Sequence, residues 1–145
     1  MRRLLLLTLI PLLAFACKKR APSAPVSVTA PTHQPAVSSV TLGNAVGADK
    51  KVVTPIENFG VRDTIFASVE TTGAGAVRLR AHWSYLRGDH TAEVDDTSMN
   101  FEASGPATNE FHISNSKDWP TGDYQVEIFL GDAPAPVMTK SFRIR

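Results

Sequence analysis

The sequence predicts an all-β domain, an antiparallel β-sandwich of seven to eight strands, and three observations lead there. Short segments alternating apolar and polar residues recur from Val37 to Arg145, with turn residues roughly every 8 to 14 positions. No stretch of that span sustains the helical periodicity of apolar residues. Ala76 to Leu86 is the strongest single strand, because Val77, Leu79, Ala81, Trp83 and Tyr85 face one way while Arg78, Arg80, His82 and Ser84 face the other.

What precedes the domain is of a different kind. Arg2 and Arg3 form a basic start, Leu4 to Leu13 an apolar run, and Ala14-Phe15-Ala16 a small-residue exit, so residues 1–16 read as a cleaved signal peptide. A membrane-spanning helix needs about 20 apolar residues. This run reaches little more than half of that, is interrupted by Pro11, and ends in Lys18, Lys19 and Arg20.

Cys17 is the only cysteine and sits at the cleavage point. Its placement resembles the lipobox of bacterial lipoproteins, in which the cysteine is diacylated on sulfur, becomes the first residue, and is often acylated on its amine. The family prefers Leu at the third position before the cysteine and a small residue at the second, where this chain has Ala14 and Phe15. The resemblance covers residues 1–17. It implies lipidation of Cys17, with diacylglycerol and fatty acyl (palmitate-type) groups as the only non-protein component, and a membrane partner through that anchor. In the same family Asp directly after the cysteine favours the inner membrane. Lys18 in that place implies the outer membrane of a cell envelope, with the domain facing the periplasm or the cell surface. A lone exported cysteine has no intramolecular partner, which fits modification, and two or three acyl chains at about 0.8 kcal/mol per buried methylene anchor stably where one is marginal. The other reading of the same residues is an ordinary secretory signal followed by a free thiol.

Residues 17–36 form a linker. Prolines at 22, 25, 31 and 35 among Ala, Ser, Thr and Val leave too little apolar surface to offset the entropy of ordering. In polyproline II form, at about 3.1 Å per residue, the stretch reaches up to roughly 50 Å. His33 within it has no assigned role.

Residues 37–145 form the domain. Val40 and Leu42 open a first strand, Val52 and Val53 suggest a second, and Asn58 to Asp63 is a turn-rich connection. Thr64 to Thr71 alternates Ile65, Ala67 and Val69 against Phe66, Ser68 and Glu70. The central strand Ala76–Leu86 follows, then the turn Arg87-Gly88-Asp89, a polar strand at Thr91–Val94 and another around Met99 and Phe101. Glu110–Ser114, Tyr124–Leu130 and Val137–Ile144 complete the set, the last two joined across Gly131 to Pro136.

The run Trp119-Pro120-Thr121-Gly122-Asp123-Tyr124-Gln125-Val126 resembles the Gly-Xaa-Tyr start of a late core strand in immunoglobulin-like and macroglobulin-like modules of bacterial envelope proteins. That resemblance covers about residues 37–145 and implies an immunoglobulin-like β-sandwich. In it Tyr124 is a tyrosine corner and Trp83 the core tryptophan, both structural. The cysteine pair that brackets this tryptophan in antibody domains is absent.

Charge excludes one partner class. The chain totals +1, but from Val37 onward 10 Lys and Arg face 14 Asp and Glu, a net of −4. Nucleic acid, which needs a basic footprint, is therefore not expected. Catalysis is not expected either: the sequence has no Gly-Xaa-Ser-Xaa-Gly elbow, no His-Glu-Xaa-Xaa-His helix and no glycine-rich phosphate loop, so no catalytic residue is assigned. His82, His90 and His112 show no ligand spacing along a strand, and Asp89, Glu93, Asp95 and Asp96 lack the calcium-loop pattern, so neither a metal nor a cofactor is assigned. A charged edge strand is the expectation for the acidic group. Arg87-Gly88-Asp89 matches the integrin-binding tripeptide and is also ordinary turn chemistry.

Phe66 and Phe129 point outward by parity, as do Arg78 and Arg80, whose expected partners are acidic neighbours such as Glu127. Brought together, Phe66, Phe129, Arg78 and Arg80 would make a partner-binding patch. The expectation is thus a non-enzymatic, lipid-anchored envelope protein whose sandwich binds another envelope or extracellular protein. The alternative is a periplasmic carrier or sensor for a small ligand or metal.

Overall fold

The computed structural model describes residues 34–145; Cys17, the segment 1–16 and the linker as far as His33 lie outside the described residues. The strands are β1 (Ala36–Gly43), β2 (Asn58–Phe59), β3 (Ile65–Thr72), β4 (Ala74–Arg87), β5 (His90–Ser104), β6 (Ala107–Ile113), β7 (Gly122–Leu130) and β8 (Met138–Ile144). They form two sheets, ordered β1-β3-β6 and β2-β8-β7-β4-β5. Every pairing is antiparallel except β2 with β8. The described residues form the expected all-β sandwich.

The strands form where alternation lets one face be buried. On β4, Val77, Leu79, Ala81 and Trp83 are buried, and they share one core with Val40, Leu42, Ile65, Val69, Phe111 and Ile113 of the other sheet. Each large side chain so placed contributes about 1.5–3 kcal/mol. Aromatic rings fill the end of the core toward which β4 runs: Phe142 stacks on Tyr124 at 5.4 Å and meets Phe59 and Trp83 edge-on at 5.5 and 5.9 Å.

Three expectations are corrected. Val52 and Val53 do not form a strand; Val52 makes a single bridge to Val46, and Val53 is 67% exposed. The segment from Asn58, expected to be turn only, begins with β2, because Phe59 buries itself against Phe142 while Asn58 and Phe59 pair with Arg143 and Ile144. The two strands expected at Thr91–Val94 and around Met99 are one strand, β5, at the edge of the five-stranded sheet. It is continuous because β4, 14 residues to its 15, pairs with it from end to end, from Ala74–Ser104 to Arg87–His90.

The registers also give the sandwich two distinct ends. Ala36 pairs with Thr72 and Thr71 with Ala107, so the chain enters β1 at the end that carries the β3–β4 and β5–β6 connections. Arg87–His90, the approach to Gly122, and Arg145 lie at the other.

Candidate functional site

The outer face of the five-stranded sheet gathers polar chemistry around one irregularity. β4 and β5 pair regularly as far as Trp83–Asp95, after which Ser84 pairs with Glu93, leaving Val94 as an extra residue. On a regular strand, residues three apart face opposite sides. The β-bulge cancels that parity, setting Glu93 opposite Ser84 and Asp96 opposite His82, so all four residues share the outer face.

His82, Glu93 and Asp96 converge there, each offering a donor atom within 4.8 Å of the others. His82 Nδ1 is 3.4 Å from Asp96 Oδ2 and 3.7 Å from Glu93 Oε2. It is inaccessible to solvent and has no hydrogen-bond partner. Ser84, only 1% exposed, likewise has an unpartnered Oγ. Arg80 Nη1 approaches the same Asp96 oxygen at 3.2 Å, and its guanidinium lies over the Phe129 ring at 4.0 Å from the centroid. The ring and the carboxylate together fix that side chain, a contact of about 0.5–1 kcal/mol at exposed positions.

The four residues expected to form a partner patch are not on one surface. Phe66 lies on the three-stranded sheet, half-buried beside His112 at a ring separation of 5.4 Å. Phe129 faces outward on the other sheet, but Arg80 covers it and it is only 8% exposed. Arg78 turns to Asp132 at 2.7 Å. Parity gave the direction of these side chains but could not say which sheet they belong to. The acidic partners are Asp132 and Asp96 rather than Glu127, although Glu127 does stand in register with His82.

The remaining candidates are dispersed. Arg87-Gly88-Asp89 forms the tip of the β4–β5 hairpin, with Gly88 and Asp89 as its two-residue loop and Gly88 at φ +58°, where glycine is favoured. Asp95 accepts a hydrogen bond from Thr97 Oγ1 at 2.7 Å, and His112 pairs with Glu110 at 3.4 Å. Trp83 is buried. Tyr124 is buried too, and its hydroxyl donates to Pro120 O at 2.7 Å; burial, with a smaller contribution from Tyr85, pushes the phenol up to about 12.

Sequence reasoning gave Trp119 no place in the core. It is buried, its Nε1 donates to Asp63 O at 2.9 Å, and its ring meets Tyr124 edge-on at 6.4 Å. The sequence signal was its position just before Pro120, which fixes the approach to β7.

No protein-family model matches this sequence, and no curated protein matches it. Solved structures do. An immunoglobulin-like protein from Pseudomonas aeruginosa superposes with a TM-score of 0.55 at 12% identity, covering 80% of this chain and 100% of that one. A β-glucosidase involved in saponin metabolism, from intestinal bacteria, superposes with a TM-score of 0.51 at 16% identity, covering 79% of this chain but 16% of that enzyme. At such identities the likeness speaks for fold alone. Together with the two-sheet topology, it shows that residues 34–145 fold as an immunoglobulin-like β-sandwich.

Proposed function

We propose that this chain is a lipid-anchored protein of the bacterial cell envelope, non-enzymatic, whose immunoglobulin-like sandwich serves as a protein-interaction module. The observation that carries this reading is the polarity of the domain. The chain enters β1 at Ala36, at one end of the sandwich, so a tether from Cys17 leaves the opposite end, with the Arg87–His90 hairpin and Arg145, directed outward. Loops gathered at one end of a sandwich are how such domains present binding surfaces. Phe66, Arg78, Arg80 and Phe129 no longer support a partner surface, since they are spread over two sheets. The proline-rich stretch gives the domain reach, and Cys17 gives it a place, most simply the outer membrane, with another envelope or extracellular protein as partner.

Two measurements test this. Cys17→Ser should release the chain from the membrane fraction into the soluble fraction, and equal membrane retention overturns the anchor. A photocrosslinking residue placed at Asp89 should capture a discrete protein partner in intact envelope, while the same residue at Pro106, at the tether end, should not. Capture at Pro106 alone reverses the assignment of ends, and capture at neither removes the interaction role.

A further inference from the structure

We infer that His82, Glu93 and Asp96 form a binding site for a divalent cation of the zinc class on the outer face of the five-stranded sheet. Three observations converge on it. The first is donor chemistry: one imidazole nitrogen and two carboxylates are a ligand set that zinc and neighbouring transition metals accept, whereas calcium and magnesium favour oxygen alone. The second is spacing. Nitrogen-to-oxygen separations of 3.4 and 3.7 Å are long for hydrogen bonds. They are close to the edges, about 3.3–3.6 Å, of a tetrahedron whose metal–ligand bonds are about 2.0–2.2 Å.

The third observation is unmet hydrogen-bonding capacity. His82 Nδ1 is shielded from solvent without a partner, and the 1% exposed Ser84, in register with Glu93, also has an unpartnered Oγ. Buried polar atoms are costly to leave alone. A cation would take the lone pair of Nδ1, and Ser84 Oγ could then donate to the Glu93 carboxylate or to a metal-bound water. Arg80, held over Phe129, reaches the same Asp96 Oδ2 at 3.2 Å and so fixes the position of that carboxylate. Its charge also offsets one of the two carboxylates, which lowers the affinity below that of the same ligands without it.

The test is titration of the full chain carrying Cys17→Ser, which removes the competing thiol, with Zn²⁺ by calorimetry and with Co²⁺ by visible absorption. The expected result is one Zn²⁺ per chain, a tetrahedral Co²⁺ spectrum, and a rise in Tm with metal. Glu93→Gln, at a 65% exposed side chain where folding should be unaffected, and His82→Gln should each weaken binding at least tenfold. His112→Gln, on the other sheet, should not. Absence of stoichiometric binding overturns the site, as does binding that survives both Glu93→Gln and His82→Gln, or that is lost with His112→Gln. If either site variant has a lower metal-free Tm, the other decides the question.

Discussion

Phe142 is the ring on which the aromatic end of the core depends, and its removal has a calculable cost. It is 4% exposed and touches Tyr124, Phe59 and Trp83 at 5.4, 5.5 and 5.9 Å between ring centroids. Phe142→Ala deletes the whole ring in a region closed on one side by β2 and on the other by β7, so the cavity cannot collapse easily; the loss should be about 3–5 kcal/mol. Phe142→Leu keeps most of the apolar volume and forfeits the ring geometry. Three aromatic contacts at about 0.5–1.5 kcal/mol each, less what Leu recovers by packing, put its cost near 2 kcal/mol. A domain of this size has roughly 5–15 kcal/mol in total. Urea denaturation followed by tryptophan fluorescence and far-UV circular dichroism measures both variants. At an m-value of about 2 kcal/mol/M, the Ala variant should lower the midpoint by about 2 M with m unchanged. An Ala variant that loses less than about 1 kcal/mol would refute the claim that the aromatic end of the core depends on this ring. A Leu variant as costly as Ala would mean that ring contacts, not volume, dominate.

Two further outcomes follow from β7 and its approach. Gly122 has φ +146°, and a Cβ there would lie 2.8 Å from Cε2 of Tyr85, whose hydroxyl donates to Thr121 O. Gly122→Ala should therefore cost about 1–3 kcal/mol from the backbone alone, plus the clash; adding Tyr85→Ser should restore the steric part and leave the backbone part, as a double-mutant denaturation cycle would show. Tyr124 has its phenol raised from 10.0 to about 12 by burial, so the folded state holds its proton longer than the unfolded chain does. Its contribution is complete below about pH 10 and disappears as pH rises from there to about 12. Stability measured across that window should fall less steeply in Tyr124→Phe than in the wild type, and tyrosinate absorbance should show one late-titrating tyrosine in the folded chain.

Most of the fold could be read from alternation because the inner faces of β3, β4 and β7 follow period two: Ile65, Ala67 and Val69, then Val77, Leu79, Ala81 and Trp83, then Tyr124, Val126 and Ile128 are all buried, with Tyr85 and Leu130 partly so. The failures share one cause. Period two gives a side chain's direction relative to its own strand and nothing about the neighbour, so it leaves open whether the outward-facing Phe66 and Phe129 meet; they lie on opposite sheets. β2 escaped notice for a related reason: two residues carry no periodicity, and what makes Asn58–Phe59 a strand is the distant Arg143–Ile144 beside it. Among the candidate residues, His82 was correctly placed facing outward, but its companions on β5 depend on a register that pairs residues 11 and 14 positions apart in sequence, Glu93 and Asp96.

That register was nonetheless written in the sequence as a contradiction. Val94, Met99 and Phe101 are all partly buried against the core, yet Val94 and Met99 are separated by an odd number of positions. No regular strand can turn both inward. Splitting the segment into two strands resolves the conflict on paper; the protein resolves it with one bulge, which lets Met99 and Phe101 face inward opposite Leu79 and Val77 while Val94 packs inward near Trp83. Placing Asp96 on the same face as Glu93 is then a consequence of core packing. It follows that deleting Asp95 should be tolerated: Glu93 stays opposite Ser84, Val94 takes the position opposite Trp83, Asp96 stays opposite His82, and the strand becomes regular. The deleted chain should keep its far-UV spectrum, lie within a few degrees of the wild-type Tm, and leave Zn²⁺ binding by the His82 cluster unchanged. An unfolded product, or a folded one whose metal affinity changes tenfold, would show that the bulge shapes this face by more than parity.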